Sequence, residues 1–151
     1  VPGRCEARPA IRSRLADGCD VLDVGCGTGV IAIMAAMLGA GSVRAVDVAS
    51  AAVEATRDNA VRNGVADRVE VDTAPAADLD GTYDLVVANI LAPTLIELAD
   101  DLRRLTRPDG RLVISGILAE RHEHVLDALA PMVVECVDTL DGWVAVTLRH
   151  A

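Results

Sequence analysis

The fold is decided by residues 21–29, which read VLDVGCGTG. A mainly apolar run leads directly into glycines at alternate positions, and apolar residues follow again. The first run predicts a buried β-strand and the second a helix. Glycine has no Cβ, so it permits positive φ and lets a ligand approach the backbone closely. The segment therefore predicts a strand, a tight turn and a helix, with a ligand held at the turn.

Outside this segment, short runs rich in Val and Ile alternate with longer Ala- and Leu-rich stretches. That alternation is typical of parallel strands covered by helices, and it predicts a doubly wound α/β fold. The predicted strands are residues 20–24, 42–46, 68–71, 83–88 and 112–115. The predicted helices are residues 29–38, 50–63, 93–105 and 119–130.

The end of the chain breaks this alternation. Residues 132–137 and 143–148 are strand-like runs, and the dipeptide Asp141-Gly142 between them favours a hairpin turn. We therefore expect a mostly parallel, Rossmann-like sheet of seven strands that ends in an antiparallel hairpin. This is the architecture of class I methyltransferases, whereas dinucleotide-binding domains usually continue with parallel strands.

Length and composition fit one domain. The 151 residues can bury a continuous core, and we expect an N-terminal segment or helix at 1–19 ahead of a cofactor-binding domain at 20–151. The apolar runs are interrupted before they reach the roughly 20 residues of a membrane span, so we expect a soluble, cytoplasmic protein without a membrane partner. Because the chain opens with Val1 and shows no apolar signal segment, we expect it to be part of a longer protein.

Charge and cysteine content narrow the range of partners. A net charge of -9 argues against direct nucleic-acid binding, which needs clustered Lys and Arg, and it favours a basic substrate. The cysteines form no CxxC pair, and no His stands at metal-ligand spacing from them. We therefore predict no metal site and reduced thiols.

The glycine spacing distinguishes two kinds of nucleoside cofactor. Dinucleotide sites carry GxGxxG and seat a pyrophosphate at a helix N-terminus, whereas this loop reads GxGxG and follows Asp23. A carboxylate there disfavours a pyrophosphate but suits the sulfonium and ammonium cations of S-adenosylmethionine. Asp47 ends the second predicted strand roughly 20 residues after the first glycine, where an acid reaches ribose hydroxyls. The alternatives are a nicotinamide cofactor, or a tight turn that binds nothing.

In this structural class the adenine packs near the end of the third strand, where Asp72 can accept a hydrogen bond from its amino group. A solvated loop acid is an equally good interpretation of Asp72. The residues predicted to bind the cofactor are Asp23, Gly25, Cys26, Gly27, Thr28, Gly29, Asp47, Val48, Asp72, Thr73 and Asn89.

Asn89 is also the candidate catalytic residue. It stands at the predicted carboxyl end of the fourth strand, where ligands bind in open α/β sheets. Its side-chain carbonyl can accept an N–H from an amine without adding negative charge, and the backbone carbonyl of Ile90 can accept a second one. The alternative is that Asn89 caps the following helix.

Imidazole and aromatic side chains are not predicted to act in this site. His122, His124 and His150 are predicted to lie at the surface or in the tail, without a catalytic role. Trp143 and Tyr83 are predicted to be packing residues.

Four motifs resemble one family, the PrmA methyltransferases, which methylate amino groups of a ribosomal protein. The sequence carries DVGCGTG at 23–29, ANILA at 88–92, SGIL at 115–118 and Gly-Trp-Val at 142–144. The glycine loop alone indicates the superfamily, whereas ANILA followed by SGIL is much more specific. The resemblance spans roughly residues 20–149. It implies an S-adenosylmethionine-dependent methyltransferase whose partner is a ribosomal protein.

Two features depart from that family. PrmA proteins carry an amino-terminal substrate-recognition domain and an FGTG segment before the first strand, and residues 1–19 contain neither. The third-strand loop also reads Asp72-Thr73-Ala74 where relatives tend to show a glycine. The alternatives are a methyltransferase that acts on a small molecule or RNA, and a cofactor-binding module without activity.

Overall fold

The computed structural model describes residues 18–151, so the predicted segment at 1–19 lies outside the described residues apart from its last two positions. The strands in the described part are β1 (Asp20–Val24), β2 (Ser42–Val46), β3 (Val69–Asp72), β4 (Tyr83–Asn89), β5 (Thr106–Leu118), β6 (Val133–Leu140) and β7 (Trp143–Arg149). The helices are α1 (Val30–Met37), α2 (Ser50–Arg62), α3 (Ala92–Glu97), α4 (Ala99–Leu105) and α5 (His122–Ala128). Short 3-10 helices lie at Ala76–Asp78 and Ala119–Arg121.

Residues 18–151 form one seven-stranded sheet in the order β3-β2-β1-β4-β5-β7-β6. Strands β1 to β5 are parallel, and β7 runs antiparallel to both β5 and β6. The predicted Rossmann-like architecture with a terminal hairpin is therefore confirmed. The hairpin turns at Asp141 and Gly142, whose φ angles of 49° and 82° suit a two-residue turn that requires positive φ at both positions.

Strands β1 and β2 have the predicted bounds, whereas the other elements differ from prediction at one or both ends. The predicted helix at 119–130 begins as the 3-10 helix Ala119–Arg121 and continues as α5, which ends at Ala128. The predicted helix at 93–105 is two helices that meet at Leu98, where the backbone bends while its hydrogen bonds continue. Apolar periodicity runs through the bend, so the sequence pattern does not show it. Strand β5 is 13 residues long, because Thr106 already pairs with Tyr83 and the ladder with β4 resumes at Arg111 after a register shift.

The sheet carries a buried core on each face. Helices α3, α4 and α5 cover one face, where leucines such as Leu95 and Leu102 are fully buried. Helices α1 and α2 lie over the β1–β3 half of the other face, and the small side chains of Ala32 and Ala36 let α1 approach the strands closely. The carboxyl ends of the parallel strands meet at one edge, where the glycine loop and Asn89 lie.

Strand β4 shows which face of the sheet each side chain takes. Val86 and Ala88 pack into the core beneath α3 and α4, whereas Leu85 and Val87 pack into the core on the α1 side. Successive side chains of a strand alternate between faces. Asn89 therefore continues the second set and lies on the α1 side of the sheet.

The structure also bears on the predictions about membrane spans, metal sites and thiols. Between residues 18 and 151, no helix is long and apolar enough to cross a membrane, and no cluster of three His, Cys, Asp or Glu side chains is arranged to hold a metal ion. Cys19 and Cys26 are buried, and Cys26 carries a free thiol. Cys136 is disulfide-bonded, so the prediction of reduced thiols is wrong at that residue. Sequence spacing does not show which thiols meet in space.

Candidate functional site

The loop after β1 is fixed to the end of β2. The N–H groups of Gly25 and Cys26 both donate to the Val46 carbonyl, at 2.8 and 3.1 Å. Gly25, Gly27 and Gly29 have φ angles of 74°, 57° and 82°, a region that side chains with a Cβ rarely adopt. The alternate glycines are therefore required by the backbone path of the loop.

The three glycines differ in what surrounds them. A Cβ on Gly25 would lie 2.4 Å from Ile90 Cγ2, and one on Gly29 would lie 2.7 Å from Thr56 Cγ2. A Cβ on Gly27 would meet no described heavy atom within 4 Å. Gly25 and Gly29 thus permit packing inside the protein, whereas Gly27 faces open space in which a ligand can approach the backbone.

Helix α2 supports the loop from behind with two side chains that the sequence analysis missed. The buried Thr56 donates its hydroxyl to the Gly27 carbonyl at 3.1 Å, and Asn59 donates to the Thr28 carbonyl at 2.9 Å. Cys26 Sγ lies 3.5 Å from the Thr56 hydroxyl. Burial raises the pKa of the Cys26 thiol, which keeps it protonated at neutral pH.

Asp47 stands beside the glycine loop at the end of β2, where the sequence predicts it. Its Oδ2 accepts from Gly27 N and its Oδ1 from Ala49 N, both at 3.0 Å. Each carboxylate oxygen keeps a second lone pair for a hydroxyl donor. Val48 follows with an exposed side chain that offers an apolar surface at the same edge.

Asp23 is the buried carboxylate of the site, with 1% of its surface exposed. Its Oδ2 accepts from Ala32 N at 3.1 Å, while its Oδ1 has no hydrogen-bond partner among the described residues. Burial raises the pKa of Asp23 to about 6; the charge of Asp47 adds to this, and the bond from Ala32 opposes it. A cation placed nearby would stabilise the ionised form.

Asp72 makes contacts that the sequence analysis did not anticipate. Its Oδ2 forms an ion pair with Arg44 at 2.9 Å, and its Oδ1 accepts from Ala74 N at 2.7 Å. Both oxygens thus hold the end of β3 to its neighbours, and Thr73 beside it is exposed. The contact of Asp72 with adenine stays a prediction.

Asn89 ends β4 opposite Ser115 of β5, and its side chain is exposed. The following helix has Leu91 at its N-cap, and no side chain in the described part of the chain bonds to that cap. The alternative interpretation of Asn89 as a helix cap is therefore wrong. Gly116 makes room for the amide, since a Cβ there would lie 2.9 Å from Asn89 Oδ1.

A cavity of about 1090 Å³ opens beside Asn89 on the side away from the glycine loop. It is lined by residues 89–91, 115–116, 138–140 and 143–145. The two parts of the site are joined through Ile90, which lines this cavity and contacts Gly25. At this edge of the sheet the glycine loop therefore lies on one side of Asn89 and the large cavity on the other.

The histidines lie away from both parts. His122 bonds to the Ala119 carbonyl, His150 lies 3.0 Å from the Thr106 carbonyl, and His124 is exposed on α5. Tyr83 is partly buried at the opposite end of β4. Trp143 is 51% exposed and lines the large cavity, so its prediction as a packing residue is wrong. Its place at the open end of β7 leaves that face without a covering helix in the described part of the chain.

Comparison with known proteins gives one consistent family. The family model "Ribosomal protein L11 methyltransferase (PrmA)" matches residues 9–151. Ribosomal protein L11 methyltransferases from Exiguobacterium sp. and Methylococcus capsulatus are 43% and 47% identical to the chain. These alignments cover 93% and 84% of the chain but 46% and 44% of the relatives. The chain therefore spans less than half the length of the curated relatives it matches.

Solved structures agree with the fold. The ribosomal protein L11 methylase from Lactobacillus delbrueckii subsp. bulgaricus matches with a TM-score of 0.87 and 33% identity, covering 95% of this chain and 76% of that one. An RNA methyltransferase from Salinibacter ruber in complex with S-adenosyl-L-homocysteine matches with a TM-score of 0.71 and 22% identity. That match covers 100% of this chain and 95% of the other, and it speaks for the fold alone.

Proposed function

The chain belongs to the ribosomal protein L11 methyltransferase (PrmA) family, and from that premise we propose that it is the catalytic domain of an S-adenosylmethionine-dependent methyltransferase acting on amino groups of a ribosomal protein. One observation carries the proposal. The open cradle at Gly27 and the amide of Asn89 lie at the same edge of the sheet and are linked through the contact of Ile90 with Gly25. A bound cofactor and an acceptor amine can therefore meet there.

The cradle fits S-adenosylmethionine better than a dinucleotide. The unpartnered Oδ1 of Asp23 and the carboxylate of Asp47 place negative charge beside the loop. A pyrophosphate would be repelled by both acids, whereas a sulfonium and an ammonium would be attracted. Asp47 has free lone pairs for ribose hydroxyls, and Gly27 leaves the space that the cofactor needs.

When bound, S-adenosylmethionine supplies a methyl group activated by its sulfonium. A lysine amine with a pKa near ~10.4 is mostly protonated at neutral pH, so the site must favour the neutral amine. Asn89 accepts an N–H without a negative charge that would hold the proton on nitrogen, and the Ile90 carbonyl accepts a second N–H. Such positioning contributes on the order of 7–11 kcal/mol in favourable cases.

The acceptor, the location and the cofactor contacts belong to the same proposal. The relatives are ribosomal protein L11 methyltransferases, which supports a ribosomal protein as the acceptor, and the net charge of -9 suits a basic protein. A cytoplasmic location follows from that acceptor. The cofactor is proposed to contact the loop at 25–29 and the residues Asp23, Asp47, Val48, Asp72 and Thr73.

The test has two arms. Calorimetry with S-adenosylmethionine, its demethylated product and NAD should show binding of the first two only; tighter binding of NAD would contradict the cofactor assignment. Incubation of the chain with methyl-labelled cofactor and ribosomal protein L11, RNA or small amines should label the protein. Labelling of RNA or of small amines alone would contradict the proposed acceptor but not the cofactor assignment.

A further inference from the structure

The wall of the large cavity opposite Asn89 is built by the end of the β6–β7 hairpin. Leu140 pairs with Trp143 across the hairpin, and Asp138 pairs with Ala145. Directly paired residues point to the same face of a sheet. Because Val144 packs into the core beneath α3 to α5, its neighbours Trp143 and Ala145 face the other side, which is the side of Asn89.

This wall exposes an unusual amount of apolar surface. Trp143 is 51% exposed and Leu140 is 75% exposed, and Leu91, also 70% exposed, stands across the cavity from them. Concave sites with apolar walls and a few polar groups are typical of ligand-binding pockets. The wall therefore suits a ligand that carries an aliphatic chain.

The same wall carries a negative charge. Of the described residues that line the cavity, Asp138 is the one with a charged side chain, and it is exposed. A lone carboxylate at the rim of an apolar cavity attracts a cation, and aromatic faces such as that of Trp143 attract cations as well. A long aliphatic amine matches both features, because its stem is apolar and its end is cationic in water.

We propose that Asp138, Leu140 and Trp143 form a subsite that selects a lysine side chain as acceptor. Trp143 and Leu140 contact the aliphatic stem, and Asp138 attracts the ammonium group as it enters. The ammonium then releases its proton to bulk solvent, and Asn89, in the lining of the same cavity, receives the neutral amine. The assignment of the bound amine as a methyl acceptor rests on the proposed function. The three wall residues are positioning residues, because they hold the acceptor and do not touch the reacting atoms.

Binding can be measured without any methyl transfer, because Trp143 is the single tryptophan of the chain and its fluorescence reports on the cavity directly. The probes are the peptide acetyl-Gly-Lys-Gly-amide and the same peptide with norleucine in place of lysine, titrated into the full chain. We expect the lysine peptide to change the emission and to bind at least about fivefold more tightly. Equal affinities for the two peptides would overturn the proposal.

Charge variants sharpen this measurement. Asp138→Asn should remove the preference for lysine over norleucine while leaving the affinity for the norleucine peptide unchanged. Asp127→Asn makes the same change of charge on an exposed residue of α5, outside the lining of the cavity, and should leave the preference intact. A lysine preference that survives in the Asp138 variant would show that the carboxylate does not select the ligand.

Kinetics separate the subsite from the proposed function. With a lysine acceptor, Trp143→Ala should raise KM about tenfold with kcat nearly unchanged, and Trp143→Phe should recover most of the loss. Cofactor affinity and the unfolding midpoint should stay the same in both variants. Methyl transfer with an unchanged KM in Trp143→Ala would refute the subsite alone. Selective binding of the lysine peptide without transfer to any acceptor would refute the proposed function alone.

Discussion

The glycine loop and the β6–β7 hairpin border the same edge of the sheet but are built in different ways. In the loop, backbone groups are held by specific partners such as Val46, Asp47 and Thr56, and of its three glycines Gly27 is the one that faces open space. At the hairpin, Leu140 and Trp143 leave much of their apolar surface exposed. The loop has its shape before any ligand arrives, whereas the hairpin surface becomes covered only when something docks.

This difference separates two kinds of defect. Changes in the preformed loop should reduce cofactor binding, because the cradle depends on the backbone geometry of its glycines. Changes at Asn89 or on the hairpin should spare the cofactor and reduce handling of the acceptor. Loss of cofactor binding and loss of acceptor handling should therefore occur in different variants.

The largest effect is expected for Gly27→Val. The branched side chain would fill the open cradle, so cofactor affinity should fall more than about a hundredfold. Gly64→Val is the matched control, because Gly64 also has positive φ (68°) and open space around it but lies outside the site. Isothermal calorimetry and thermal unfolding of both variants are the measurements. A similar loss of affinity in the control would mean that backbone strain, not occlusion, causes it.

Asn89→Ala should reduce turnover and not cofactor binding. Loss of a hydrogen bond to the amine as it becomes charged costs roughly 1.5–3 kcal/mol, which lowers kcat and kcat/KM together by about tenfold to a hundredfold. Asn89→Asp keeps the shape but adds a charge that raises the pKa of the amine, so its rate should rise only at higher pH. Rate profiles against pH and cofactor titrations distinguish the two variants. Parallel losses of binding and turnover in Asn89→Ala would contradict the separation.

Cofactor affinity should depend on pH through Asp23. The pKa of Asp23 is about 6 in the free protein, and a bound cation would lower it. Binding below pH 6 must therefore expel a proton, so affinity should fall about fivefold between pH 6 and pH 5 and approach a tenfold loss per pH unit below that. Calorimetry in buffers of different ionisation enthalpy counts the released proton. The cofactor affinity of Asp23→Asn should not change with pH over this range. An equally steep loss of affinity in that variant would show that another group releases the proton.

Asp23 also affects the stability of the free protein, and this effect has the opposite dependence on pH: stability decreases as pH rises, whereas cofactor affinity increases. Its folded-state pKa of about 6 lies above the ordinary value of 3.8, so the folded state binds the proton more tightly. The contribution of Asp23 to the free energy of unfolding is therefore largest below pH 3.8. It decreases as the pH rises through 6, and the complete loss is on the order of 3 kcal/mol. Urea unfolding of the free chain across this range, compared with Asp23→Asn, isolates that contribution.

The smallest effect is expected for Thr56→Val. The substitution keeps the shape but removes the hydroxyl that donates to the Gly27 carbonyl, which should cost about 1–3 kcal/mol of stability and weaken cofactor binding a few-fold. Thr94→Val, on the exposed surface of α3, should change stability by less than about 0.5 kcal/mol. Equal unfolding midpoints for the two variants would show that α2 does not support the loop.

Local sequence patterns sufficed for much of the fold. Strands β1 and β2 were predictable to the residue because each is a short apolar run bounded by polar or glycine residues. The hairpin was predictable from Asp141-Gly142, since few other dipeptides accept two positive φ angles. The place of Asp47 beside the loop also followed, because adjacent parallel strands end at the same edge.

The rest depends on contacts between residues far apart in the chain. Thr56 and Asn59 support the loop from a helix about 30 residues further on, and nothing in the pattern of that helix marks them out. The ion pair between Asp72 and Arg44 could not be predicted from the sequence, because it arises only in the folded sheet. Trp143 was predicted to be a packing residue because the sequence does not show which face of the hairpin is covered in the folded protein.

The contact between Gly25 and Ile90 has an evolutionary consequence. The methyl branch of Ile90 occupies the space that a Cβ at position 25 would need. A smaller side chain at 90 would remove this clash but not the strain of a φ of 74°, which disfavours any residue with a Cβ at position 25. Position 25 should therefore remain glycine among descendants of this sequence while position 90 varies, and a laboratory library randomised at both should recover glycine at 25 with several different residues at 90.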